Sequence, residues 1–123
     1  MIQKSILWAS FMYFFLFSCE SLTSEQKAEL DRGREVYLTH CVSCHGDKGD
    51  GMGGAYPTLI KPEILEAHTA RSVTLIKQGS GFEAGMKPID LTNQEIVEVV
   101  NYIQNTWGNK APFLTEKQIQ DIL

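Results

Sequence analysis

The chain has 123 residues, with 11 Lys+Arg against 15 Asp+Glu and a formal net charge of −4. That length suits one small domain and argues against a second, while the acidic balance argues against nucleic acid as a partner. Its three cysteines, Cys19, Cys41 and Cys44, do not read as a disulfide framework, and a chain this short often recruits a cofactor, metal or disulfides to complete its core.

Residues 1–18 read as an export signal: Lys4 in a short polar start, the apolar run from Ile6 to Phe17 broken only by Ser10, then Ser18 before Cys19. The run is well short of the roughly 20 apolar residues a bilayer-spanning helix needs, which favours a cleavable leader over a permanent anchor. Its removal takes Lys4 with it, so the mature chain is more acidic still. Leu16-Phe17-Ser18-Cys19 resembles a bacterial lipobox, which implies lipid modification of Cys19 and membrane attachment. Lipidation also removes the hazard of a free thiol in an oxidising compartment. The alternative is a cysteine beside an ordinary cleavage site. Residues 19–24 are expected to form a polar tether and 25–123 the folded domain.

Thr23 with Gln26 makes a capping-box pattern that predicts a helix from about residue 24. Leu30, Gly33, Val36, Tyr37 and His40 recur at helical spacing, carrying that helix up to Cys41. Gly46, Gly49, Gly51, Gly53 and Gly54 then predict a loop folded tightly around something. Helix is expected from Pro62 to about Ala67 and again from Arg71 to Gln78, with Gly79 ending it and 79–91 as loop. Thr92 with Glu95 makes a second capping box, and Ile96, Val99, Val100, Ile103 and Trp107 mark the buried face of a helix ending at Gly108. Thr115 and Gln118 can cap a short C-terminal helix. With no convincing strand, repeat or low-complexity tract, the expected class is all-α, with about four to five helices.

The chemistry concentrates in Cys41-Val42-Ser43-Cys44-His45. The two-residue gap lets both thiols reach the two vinyl groups of one haem, and the adjacent His45 then meets the iron from one face. Zinc is disfavoured because no second Cys/His pair stands at zinc spacing, and a thioredoxin-like redox pair because the βαβ pattern is missing. His40 and His68 read as solvated or locally hydrogen-bonded, and Asp47 and Asp50 as solvent-facing. Gly49-Asp50-Gly51-Met52-Gly53 lacks the flanking strand and helix of a phosphate loop.

From about Ser24 to Trp107 these spacings together resemble the class I (monohaem) cytochromes c. The resemblance implies the small cytochrome c fold, with Gly33 and Tyr37 packed across the last helix against Val99 and Tyr102. It implies that the Pro57 carbonyl accepts a hydrogen bond from the His45 ring nitrogen facing away from iron, and that Leu59 packs on the porphyrin. Tyr56 stands where many relatives have a glycine. The second axial ligand implied is Met86, in Gly85-Met86-Lys87-Pro88, with Met52 as its rival and an open or histidine-ligated site as further options.

The implied function is electron transfer by haem c and its iron, between redox partner proteins on the periplasmic side of a bacterial membrane, without catalysis by this chain. A competing class is a small-ligand haem enzyme or sensor, and a third is the haem subunit of a larger oxidase or reductase. The acidic balance points to a basic patch on at least one partner.

Overall fold

Thr23 opens the first helix by accepting the Gln26 N–H on its hydroxyl, while the Gln26 side chain accepts the Thr23 N–H. The computed structural model describes residues 21–60 and 65–123, so the leader, Cys19 and the helix start expected at Pro62 lie outside the described residues. Helix α1 spans Ser24–His40, starting where the Thr23 capping box places it. Helix α2 is the single turn Val42–His45, α3 spans Leu65–Gln78, α4 Asn93–Gln104 and α5 Glu116–Ile122. Among the described residues the only ladder is an isolated bridge between Met52 and Tyr56, so the all-α expectation holds. None of these helices is long and apolar enough to cross a membrane.

The core is organised by the crossing of α1 and α4. Ile96, Val99 and Val100 are essentially solvent-free, and burying such side chains contributes about 1.5–3 kcal/mol each. At the crossing the backbones meet at Gly33, where a Cβ would overlap the Glu98 carbonyl oxygen and stand 2.8 Å from Tyr102 Cβ. Only glycine permits that approach. Beside it Glu98, itself buried, takes the Arg32 Nε at 2.6 Å and the Gln94 amide at 3.0 Å, which satisfies a carboxylate that burial would otherwise penalise.

Two expected boundaries move. Helix is unbroken from Leu65 to Gln78, because His68, Thr69 and Ala70 contain no breaker, and Thr74 returns its hydroxyl to the Ala70 carbonyl at 2.9 Å. Helix α4 ends at Gln104 rather than Gly108. There Asn105 Nδ2 donates to the Asn101 carbonyl at 3.0 Å and Thr106 Oγ1 to the Tyr102 carbonyl at 2.7 Å, occupying acceptors that further helical N–H groups would need. Trp107 therefore lies beyond the helix, with φ at 53°. Its ring packs edge-on against Tyr37 at 5.1 Å and Tyr102 at 5.4 Å between centroids, a cluster that offsets the cost of left-handed backbone at a bulky residue.

The C-terminal segment folds back onto this core. Asn101, fully buried, donates to the Leu114 carbonyl at 2.9 Å and accepts the Leu114 N–H at 2.7 Å. A third capping box, Thr115 with Gln118, starts α5, which buries Ile119 completely.

Candidate haem site

Helix α1 stops at Cys41, whose φ of −119° breaks the helical run while its N–H still donates to the Tyr37 carbonyl at 2.9 Å. The Cys41 carbonyl then accepts from the Cys44 and His45 N–H groups at 3.2 and 2.9 Å. Cys41, Cys44 and His45 are thereby carried on one turn. Cys41 is buried and Cys44 half-buried. Burial, helped by the nearby Cys44, pushes the Cys41 thiol up to about 11.

The His45 ring sets its own tautomer. Its Nδ1 lies 3.0 Å from the Pro57 carbonyl oxygen, and a carbonyl can only accept, so Nδ1 carries the hydrogen and Nε2 is the nitrogen with the lone pair in the neutral ring. The intervening loop is tied down at several points. The Gly51 N–H donates to the His45 carbonyl at 2.9 Å and the Leu59 N–H to the Gly49 carbonyl at 2.7 Å, the latter joined by Thr58 Oγ1 at 3.1 Å. Tyr37 Oη donates to the Gly46 carbonyl at 2.6 Å, and burial holds that phenol well above its usual range, keeping the donor hydrogen in place. Tyr56 before Pro57 is accommodated because its side chain points to solvent, at 45% exposure, while its backbone pairs with Met52.

Met86 lies on the loop between α3 and α4, half-buried and packed, like Leu59, against the buried core. Its loop is anchored to α3 by the Ile89 N–H, which donates to the Ile76 carbonyl at 2.8 Å, and by Lys77 Nζ on the Leu91 carbonyl at 2.9 Å. Met52 is 51% exposed on the glycine-rich loop. His40, Asp47 and Asp50 are exposed and His68 is half-buried.

This donor set suits a covalent haem. Two thiols share one turn, an imidazole held at Nδ1 leaves Nε2 available, and a thioether sits on a separate, anchored loop. Zn²⁺ chemistry needs further nitrogen or sulfur donors, and among the described residues no group of three or more His, Cys, Asp or Glu is placed to hold a metal. Trp107, expected on a buried helix face, braces the site from beyond the helix through its aromatic cluster, and the sequence reading misses two further residues: Asn109, whose Nδ2 donates to the Leu59 carbonyl at 2.9 Å, and Ser80, whose N–H donates to the Met86 carbonyl at 2.8 Å. No local pattern marks them, because each acts on a carbonyl or ring brought near only by folding.

Comparison with known proteins gives the family and the fold. The family model for cytochrome c matches residues 30–107. The cytochrome c subunit of the quinone alcohol dehydrogenase of Gluconacetobacter polyoxogenes is 30% identical over 91 residues, covering 65% of this chain and 19% of that protein. The chain thus spans about a fifth of the length of that relative. Cytochrome c-552 of Thermus thermophilus is 31% identical over 91 residues, covering 63% of this chain and 69% of that one. Among solved structures, cytochrome cL of Methylophaga aminisulfidivorans superposes with a TM-score of 0.56 at 22% identity, over 77% of this chain and 68% of its own, a likeness of fold. The CxxCH turn, the helical frame around it and the family match over most of the folded region establish that this chain belongs to the class I cytochrome c family, whose members carry covalently bound haem c and transfer electrons through its iron.

Proposed function

We propose that this protein is a monohaem electron carrier in which Cys41 and Cys44 hold the haem as thioethers, His45 Nε2 binds iron on one side, and the Met86 thioether binds it on the other. The observation that carries this reading is the 3.0 Å contact between His45 Nδ1 and the Pro57 carbonyl. It supports Nε2 as the ligand atom, since a hydrogen bond from the other ring nitrogen orients a ligating imidazole and makes it more basic. The bound haem supplies a reversible one-electron change at iron. A thioether at Met86 favours the ferrous state and raises the potential. With both axial positions taken by protein side chains no position is left for substrate, which favours a carrier over a haem enzyme or sensor.

In this reading residues 1–18 are a cleaved leader, Cys19 is lipidated, and residues 19–24 tether the domain 25–123 to the periplasmic side of a bacterial membrane, where it meets donor and acceptor proteins. A second reading, the haem subunit of a larger dehydrogenase, oxidase or reductase, is favoured by the resemblance to alcohol dehydrogenase cytochrome c subunits.

Absorption spectra of the exported protein in both redox states test the ligand set. Met86→Ala is expected to lose the charge-transfer absorption of ferric Met-ligated haem, to lower the potential, and to admit carbon monoxide to the reduced iron. Met52→Ala is expected to do none of these. The reverse pattern would assign the ligand to the glycine-rich loop, and ready carbon monoxide binding by the unmutated protein would favour the sensor or enzyme reading.

A further inference from the structure

We propose that Gly79 and Ser80 are positioning residues for Met86, holding the backbone of the ligand loop where the thioether reaches iron, so that the strength of axial ligation is set at the C-terminal end of α3. This rests on the reading of Met86 as the axial ligand. A thioether is a weak ligand, and one carried on a loop stays bound only if the loop is already ordered, because ordering a flexible loop at each encounter costs conformational entropy.

The backbone of this loop adds to the order that its anchors on α3 supply. Phe82, its only aromatic residue, is 76% exposed. The loop also closes on itself. The Gly79 N–H finishes α3 on the Leu75 carbonyl at 2.9 Å, and the Ser80 N–H donates across the loop to the Met86 carbonyl at 2.8 Å. Ser80 Oγ also accepts the Phe82 N–H at 3.3 Å, and the Gly85 N–H donates to the Phe82 carbonyl at 3.0 Å. The ligand's own carbonyl is therefore held by the residue following Gly79.

Gly79 permits the closure in two ways. Its φ is +74°, a conformation L side chains rarely adopt, and a Cβ there would stand 2.8 Å from the Met86 carbonyl oxygen and 2.9 Å from Pro88 Cδ. A side chain at 79 thus pushes directly on the ligand-bearing backbone. Gly81 separates the two effects. Its φ is +77°, but a Cβ there meets nothing within 4 Å, so Gly81→Ala strains the same loop without touching Met86.

The test compares Gly79→Ala, Gly81→Ala and Met86→Ala in the haem-loaded, full-length protein. Gly79→Ala is expected to weaken or abolish the ferric Met–iron absorption, lower the potential and raise carbon monoxide affinity of the reduced protein by about tenfold or more, with haem still covalently attached. Gly81→Ala is expected to lower thermal stability but keep the Met–iron absorption. Equal spectral effects in the two variants, or an intact absorption in Gly79→Ala, would overturn the proposal. Should Met86→Ala keep the absorption, the ligand assignment fails instead, and that result is distinguishable from failure of the clamp. If Gly79→Ala yields no loaded protein, amide hydrogen exchange of the unmutated protein decides, since the clamp is the Ser80 N–H on the Met86 carbonyl: a strongly protected Ser80 amide supports it, and an amide exchanging as fast as that of exposed Gly81 overturns it.

Discussion

Asn109 donates from Nδ2 to the Leu59 carbonyl at 2.9 Å, and the same nitrogen reaches the Ile103 carbonyl at 2.9 Å. One buried amide thus ties the loop after Pro57 to the end of α4. Asn109→Ala strips a donor from two carbonyls, a loss of about 1–3 kcal/mol. Faster amide hydrogen exchange at residues 58–60 and a lower denaturation midpoint check it. Asn109→Asp is expected to be at least as damaging at neutral pH, since a carboxylate facing two carbonyls repels where the amide attracts.

Gly33→Ala is expected to destabilise the protein by about 1–3 kcal/mol or more, the usual range for forcing atoms into a packed interior. The added methyl overlaps the Glu98 carbonyl, which is helix backbone and cannot rotate away. Thermal denaturation followed by circular dichroism measures the loss. A neutral result would mean that α1 and α4 slide apart freely.

The Glu95 carboxylate accepts the Thr92 N–H and hydroxyl, both at 2.8 Å, and these bonds, the backbone one first, hold its pKa below the ordinary value. A group whose folded pKa is depressed contributes stability above its unfolded pKa and loses it as pH falls through the folded one. Glu95→Gln is therefore expected to lower the melting temperature at neutral pH, with wild type and variant converging in strongly acid solution. Parallel melting curves at all pH values would contradict this account.

If Cys19 is the lipidated N-terminus, intact mass of the mature protein gives a chain beginning at Cys19 with added acyl mass. Cys19→Ser should then move the protein from the membrane to the soluble fraction, since stable anchoring depends on the lipid chains. A membrane-bound variant would place the anchor elsewhere.

Partner docking should be sensitive to salt. The chain carries 15 acidic against 11 basic side chains, so attraction to a basic partner is screened as ionic strength rises. Electron exchange measured by stopped flow is expected to slow with added salt. A flat profile would favour apolar docking or a permanent subunit.

What the sequence determines by itself here is what depends on neighbours in the chain. The three capping boxes, at Thr23, Thr92 and Thr115, are local exchanges between residues three apart, and each appears where the pattern stands. Cys41, Cys44 and His45 share a turn because they are contiguous, and Gly33 and Tyr37 face α4 because helical periodicity puts them on one side. The pairing of Pro57 with His45 is different: no local rule joins them, and it enters only through the spacing of the family.

Tertiary structure decides the rest, because a hydrogen-bond acceptor has no identity until the chain folds beside it. Asn101 reads as an ordinary polar helix residue, yet it is fully buried on the Leu114 backbone. The helical pattern runs on to Trp107, but Asn105 and Thr106 turn their side chains onto the last carbonyls of α4 and end it at Gln104. That stop turns the Trp107 ring onto Tyr37 and Tyr102. The clamp of Ser80 on Met86 is of the same kind: serine and glycine after a helix announce a turn, but only the closed loop shows which carbonyl the turn holds.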